Sequence, residues 1–297
     1  MGILSNCTLC PRRCGTDRES GKVGFCGAND KIKIARCALH FWEEPCISGK
    51  NGSGTVFFSH CSMKCAYCQN YKISRLGIGK FISTNELCDC FLKLAEDGAN
   101  NINLVTPTHY VPQIIEAVTI AKSQGLTLPI IYNSSGYENP ETIKMLDGTV
   151  DVYLPDMKYF DDRYALRYSG APSYFEIASR AISEMFSQVG KCVFDEQGMI
   201  KKGVIVRHLM LPGLLFDSKK IIDYLFKTYG NDIFLSIMNQ YTPTKALPPD
   251  FPELNKKISE KYYNSLIDYA LNLGIKNAYI QDGDTAKESF IPEFFGE

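Results

Sequence analysis

Residues 59–70 read Ser-His-Cys-Ser-Met-Lys-Cys-Ala-Tyr-Cys-Gln-Asn, and the fold is decided by how this stretch is read. Cys61, Cys65 and Cys68 stand at C-x3-C-x2-C spacing. A short loop with thiols so placed wraps three corners of a cubane iron–sulfur cluster, whereas such clusters ordinarily take four thiolates. The remaining iron is left for a ligand that the loop does not supply. The alternative is zinc on the same thiols, with His60 or a distant Cys as fourth ligand. Just before the loop, Thr55-Val56-Phe57-Phe58 is β-branched and aromatic and predicts a short buried strand. The thiols therefore follow a strand's carboxyl end, where α/β folds place their chemistry.

Toward the amino terminus, Cys7, Cys10, Cys14 and Cys26 follow C-x2-C-x3-C-x11-C, with Gly15, Gly21 and Gly24 allowing tight turns. Four thiolates close a tetrahedral structural site, with zinc as first choice and a second iron–sulfur cluster as the alternative. Arg12 and Arg13 within this knuckle read as solvated. Lys31–Ala35 alternates and predicts a strand. Phe41 and Trp42 are expected to pack the knuckle against the rest. In the sharper reading, His40, Glu43 or Glu44 faces the site. Cys37 and Cys46 read as small buried hydrophobes. The Gly49–Gly54 run is a turn, so a boundary is expected there, dividing residues 1–50 from 51–297.

Toward the carboxyl terminus, short apolar strands alternate with amphipathic helices. Ser83-Thr-Asn-Glu86 is a capping box. Strands are expected at 102–106, 129–132, 151–154, 203–207 and 233–237, with a last short one at 278–280. Helices are expected between them, one opened by Pro140 at its first position. With the strand at 55–58 this makes six βα units and a parallel sheet. Six are too few for a closed eight-fold barrel, so the fold class is α/β with a partial (β/α)6 TIM barrel. The strand ends present Thr106-Pro107-Thr108-His109, Asn133-Ser134-Ser135, Asp156-Met157-Lys158, Arg207-His208 and Asn239-Gln240-Tyr241.

The chain has 297 residues and net charge −1, which gives no bulk attraction to nucleic acid or an anionic membrane. No apolar run reaches membrane-spanning length. Twelve Cys at metal-ligand spacings speak for a reducing, cytoplasmic setting rather than disulfides. Cys88, Cys90 and Cys192 read as packing residues.

The Cys61–Cys65–Cys68 spacing, with Tyr67 before the last thiol, resembles the radical S-adenosylmethionine (SAM) enzymes. That resemblance implies a 4Fe-4S cluster on the three thiols, with SAM chelating the open iron and Tyr67 and Asn70 beside the cofactor. Asp156-Met157-Lys158 is similar to a D-x-K motif of the activating enzymes of glycyl radical enzymes, in which the Lys reaches SAM and the Asp helps bind a cation. Asn133 and Ser135 lie by the same site, and Arg207 is similar to an Arg that meets the SAM carboxylate. Where those activators carry Gly-Gly-Glu for the SAM ammonium, this chain has Thr106-Pro107-Thr108. The segments C-x-L-C-P-R-x-C at 7–14, E-E-P-x-I-S-G at 43–49, N-L-V-T-P-T-H at 103–109, V-R-H-L-x-L-P-G at 206–213 and N-Q-Y-x-P at 239–243 resemble the PflX-type subgroup. The implied partners are reduced flavodoxin or ferredoxin as electron donor and a protein substrate, either a glycyl radical enzyme or another polypeptide. A non-catalytic zinc or iron–sulfur module is the alternative of another class.

Overall fold

The structure is a computed structural model that describes residues 2–243, 247–281 and 294. In chain order its elements are β1 (Ile32–His40), α1 (Pro45–Ser48), β2 (Ser53–Phe58), α2 (Tyr71–Ser74), β3 (Lys80–Ile82), α3 (Thr84–Glu96), β4 (Ile102–Val105), α4 (Val111–Ser123), β5 (Ile130–Ser134), α5 (Pro140–Lys144), β6 (Val152–Pro155), α6 (Asp162–Ser169), α7 (Tyr174–Val189), β7 (Val193–Phe194), β8 (Ile200–Leu209), α8 (Leu215–Tyr229), β9 (Phe234–Met238), α9 (Glu260–Leu273) and β10 (Ala278–Ile280). One sheet runs β10-β9-β8-β6-β5-β4-β2-β1-β3, with β7 paired to β8. From β2 to β10 the neighbours along that path are parallel, joined by helical crossovers, as expected for a partial barrel.

The helices form where the sequence marks them. Ser83 Oγ accepts from the Glu86 N–H and the Glu86 carboxylate accepts from the Ser83 N–H, closing the predicted capping box of α3. Leu87, Phe91 and Leu94 then bury one face of that helix against the sheet, each worth about 2 kcal/mol of apolar burial. Pro140 opens α5, but Asn139 does not cap it; its amide donates to the Thr8 carbonyl at 2.6 Å. Two helices, α6 and α7, follow β6, and α6 ends at Gly170, which takes a left-handed conformation.

β1, which precedes the expected division at residue 50, pairs antiparallel with both β2 and β3 and so extends the barrel's own sheet. Phe41 and Trp42, expected to pack the knuckle against the rest, are 50% and 62% exposed. The glutamates that follow them turn inward instead. Among the described residues no helix is long and apolar enough to cross a membrane.

Candidate active site

The loop from Ser59 to Asn70 leaves β2 at its carboxyl end. Its backbone is bent hard, with His60 and Lys64 at positive φ. Three polar groups, one amide and two hydroxyls, already face its sulfurs. The Met63 N–H points at Cys61 Sγ at 3.4 Å, Ser169 Oγ donates to Cys65 Sγ at 3.0 Å, and Ser74 Oγ lies 3.3 Å from Cys68 Sγ. Burial, followed by the neighbouring Cys65 thiol, pushes Cys61 up to about 12 and raises Cys68 as well. Buried thiols so close ionise when a metal's positive charge meets them. Hydroxyl and amide donors aimed at sulfur are what a thiolate-bound cluster takes. The donor set therefore fits a cluster. Among the described residues no three His, Cys, Asp or Glu side chains gather so that they could hold a single metal ion. This geometry gives zinc no preference over a cluster on either set of thiols.

Asp156 and Lys158, just past β6, pair with one another at the same mouth. Burial works against the Lys158 ammonium. Asp156, and after it the Cys65 thiol, outweigh that and raise its pKa. The cation is thus held within the electrostatic reach of two of the loop's sulfurs. The Lys158 N–H donates to Tyr174 Oη at 2.9 Å, and Tyr174 Oη donates to the carbonyls of Ser135 and Asp156, so the ends of β5 and β6 are tied together.

The remaining candidates scatter in their roles. Thr106, half-buried, sits at φ +59°, a left-handed conformation that is an outlier for a β-branched residue; such strain gathers at functional sites. Its N–H donates to the Asn133 carbonyl at 2.9 Å. The Thr108 hydroxyl, expected as an acceptor at the site, is committed to Glu138 at 2.6 Å. Tyr67 is buried behind the loop, its hydroxyl 2.7 Å from that of Tyr159, which in turn lies 2.8 Å from Ser169 Oγ. Asn70 stands at the start of α2 without a capping hydrogen bond from its side chain.

Arg207 is placed differently from the expectation. From β8 its guanidinium enters the barrel and is gripped by Glu43 and Glu44, Nε lying 2.8 Å from Glu44 Oε1. Glu43 also accepts from the Asn103 amide at 2.9 Å. All three charged side chains are nearly inaccessible, at 13%, 8% and 5% exposure. The chain between β1 and β2 thus plugs the barrel with two carboxylates, and Arg207 is spent on them rather than held out to a ligand. Glu43 and Glu44 thus point into the barrel, onto Arg207.

His109 and His208 are buried and structural. Burial lowers His109 to about 3 and His208 to about 4, and their ring nitrogens bond the Ser59 carbonyl, and the Met157 carbonyl and Ser218 hydroxyl, respectively. Tyr241 is likewise buried, donating to the Leu254 carbonyl.

Two arginines of the knuckle were not singled out for what they do. Arg12 is half-buried and donates to the carbonyls of Ser62, Met63, Ser169 and Gly170, clamping the thiol loop to the end of α6. Arg18 is completely buried, bonded to the carbonyls of Asn29 and His109 and lying 3.6 Å from Cys7 Sγ. Arg13, as expected, is on the surface, facing Glu141. Only a buried partner distinguishes these three, and sequence spacing carries no sign of one.

In its parallel partial barrel this chain is similar in fold to solved radical SAM enzymes. A family model described as a 4Fe-4S single cluster domain matches residues 47–166. The chain is 28% identical over 278 residues to an uncharacterized protein of Methanocaldococcus jannaschii, covering 90% of this chain and 75% of that one. Among solved structures it is similar to Streptococcus suis SuiB bound to S-adenosylmethionine, with TM-score 0.51 and 11% identity over 76% of this chain and 49% of SuiB. The [FeFe]-hydrogenase maturase HydG gives TM-score 0.51 and 13% identity over 75% of this chain and 50% of HydG. A spore photoproduct lyase gives 0.50 and 12%, over 79% and 78%. The chain spans about half the length of SuiB and HydG.

Proposed function

We propose that this protein is a radical SAM enzyme that abstracts hydrogen from carbon in a substrate, and that the substrate is a segment of a partner polypeptide. The observation that carries the reading is the set of three thiols on one loop at the carboxyl end of β2, beside the buried Lys158–Asp156 pair. Bound there, a 4Fe-4S cluster and SAM supply one-electron cleavage to a 5′-deoxyadenosyl radical. Cys61, Cys65 and Cys68 would hold the cluster, and Ser169, Ser74 and the Met63 N–H would steady its sulfurs. Lys158, Asp156, Asn133, Ser135 and the strained backbone at Thr106 are the groups at the mouth that would orient the nucleotide. An ammonium needs only acceptors, and the carbonyls at Thr106 can serve without the Gly-Gly-Glu segment of the activating enzymes.

The segments that resemble the PflX-type subgroup, together with the open mouth, favour a protein substrate, with a glycine of a glycyl radical enzyme as the finer reading. At the knuckle, fully buried Arg18 has carbonyl and thiol partners and no carboxylate among them. A buried guanidinium favours negative charge beside it, and metal-bound thiolates of Cys7, Cys10, Cys14 and Cys26 would supply that charge.

The test is anaerobic reconstitution with iron and sulfide, followed by SAM and dithionite. Visible absorption and 5′-deoxyadenosine are expected from the wild type. Cys65→Ala should retain its far-UV dichroism but yield no deoxyadenosine. Full turnover by that variant would overturn the assignment.

A further inference from the structure

We propose that the concave face made by the cluster loop, the knuckle and α6 is the docking surface for an acidic one-electron carrier protein. The proposal rests on the radical SAM reading above and names the partner that reading requires. A cavity of about 300 Å³ opens there, lined in part by Arg12, Phe25, Lys64, Arg75, Leu166 and Ser169.

Charge is the first argument. Among the described residues no carboxylate pairs with Arg12, Lys64 or Arg75. Arg12 and Arg75 donate to backbone carbonyls, which satisfy their N–H groups and leave their charge uncancelled. The chain as a whole carries −1, so this is local positive charge on a nearly neutral protein. Such a patch draws an acidic partner into place and quickens encounter.

Composition is the second. Phe25 is 43% exposed with Arg12 over its ring at 4.3 Å and Lys64 at 4.4 Å, and Leu166 is 53% exposed beside them. Arginine, aromatic and aliphatic surface together are what protein interfaces use. A small anion is less well served, because the guanidinium donors of Arg12 and Arg75 already hold carbonyls.

Position is the third. Arg75 holds the Cys65 carbonyl at 2.7 Å, and Ser169, part of the lining, donates to Cys65 Sγ at 3.0 Å. A carrier seated here is separated from a cluster sulfur by one side chain. The step balances simply: the carrier loses one electron, the cluster gains it, and no bond is made or broken.

Stopped-flow reduction of the reconstituted protein by photoreduced flavodoxin tests this, with Leu166→Asp and Leu166→Glu as variants. At 50 mM salt each variant should be reduced about tenfold more slowly than wild type. The gap should close to within about twofold at 0.5 M salt as screening takes over. Dithionite, a small reductant, should reduce all three proteins equally. Variants as fast as wild type with flavodoxin at low salt would overturn the docking surface. So would full competition by 10 mM inorganic phosphate at constant ionic strength, which would mark a small-anion site. A wild type that takes up no dithionite-reducible chromophore would instead sink the radical SAM reading itself.

Discussion

Replacing Arg207 with Met should turn the barrel plug from a support into a liability. The guanidinium faces three carboxylate oxygens of Glu43 and Glu44, inside a barrel where none of these side chains is more than 13% exposed. Removing one partner of a buried ion pair costs about 3–5 kcal/mol, because it strands charge in a poor solvent. At about 2–3 °C per kcal/mol for a chain of this size, the melting temperature at pH 7 should fall by about 6–15 °C.

The pH dependence gives a sharper check. In the wild type, burial alone would raise Glu44, but Arg207 outweighs it and holds the carboxyl below its ordinary value. A folded pKa below the unfolded one contributes stability that is present above the unfolded value of 4.5 and is lost as pH falls through the folded one. Without Arg207, burial, the largest influence, and the facing Glu43 carboxylate are opposed only by hydrogen bonds from Ser236 and the backbone, and the folded pKa rises above 4.5. The sign then reverses, and the variant should gain stability as pH drops from 7 toward 5, where the wild type holds steady. Thermal melts of both proteins at pH 7, 6 and 5 read this directly. A variant within 1 kcal/mol of wild type at pH 7, or two melting curves that run parallel with pH, would refute the reasoning. Adding Glu44→Gln to Arg207→Met should recover part of the loss, which a general packing defect would not.

Other consequences can be measured singly. Ser169→Ala removes the O–H donor to Cys65 Sγ; since such a bond favours the more negative reduced cluster, the midpoint potential should fall by about 20–60 mV, read by redox titration. Glu138 is raised to about 7, by burial first, while the hydroxyls of Thr108, Ser134 and Tyr132 work the other way. Its folded pKa lies above the unfolded one, so stability present below pH 4.5 is lost as pH rises through 7, and Glu138→Gln should remove about 3 kcal/mol of that slope in chemical-denaturation curves between pH 5 and 8. Thr106→Gly should raise stability by about 1 kcal/mol by relieving the left-handed backbone, while weakening SAM binding measured by calorimetry; lower stability would mean that the conformation is not strained.

Much of the barrel was legible because its signals are local. Strands such as Ile102–Val105 and Val152–Pro155 are short apolar runs, and the Ser83–Glu86 cap and Pro140 are helix starts written within one turn of chain. The thiol loop was equally legible, since its three cysteines fall within eight residues and follow a strand. What the sequence by itself determined was therefore the order of βα units and the loop that crowns the first of them. The tertiary structure alone decided where the charges go. Arg12, Arg18 and Arg207 look alike in sequence, yet one clamps the cluster loop, one is sealed in the knuckle and one is locked to a plug drawn from residues more than 160 positions away. A guanidinium's role depends on which oxygens surround it and how much water remains, and those are set by chain segments that no local pattern connects.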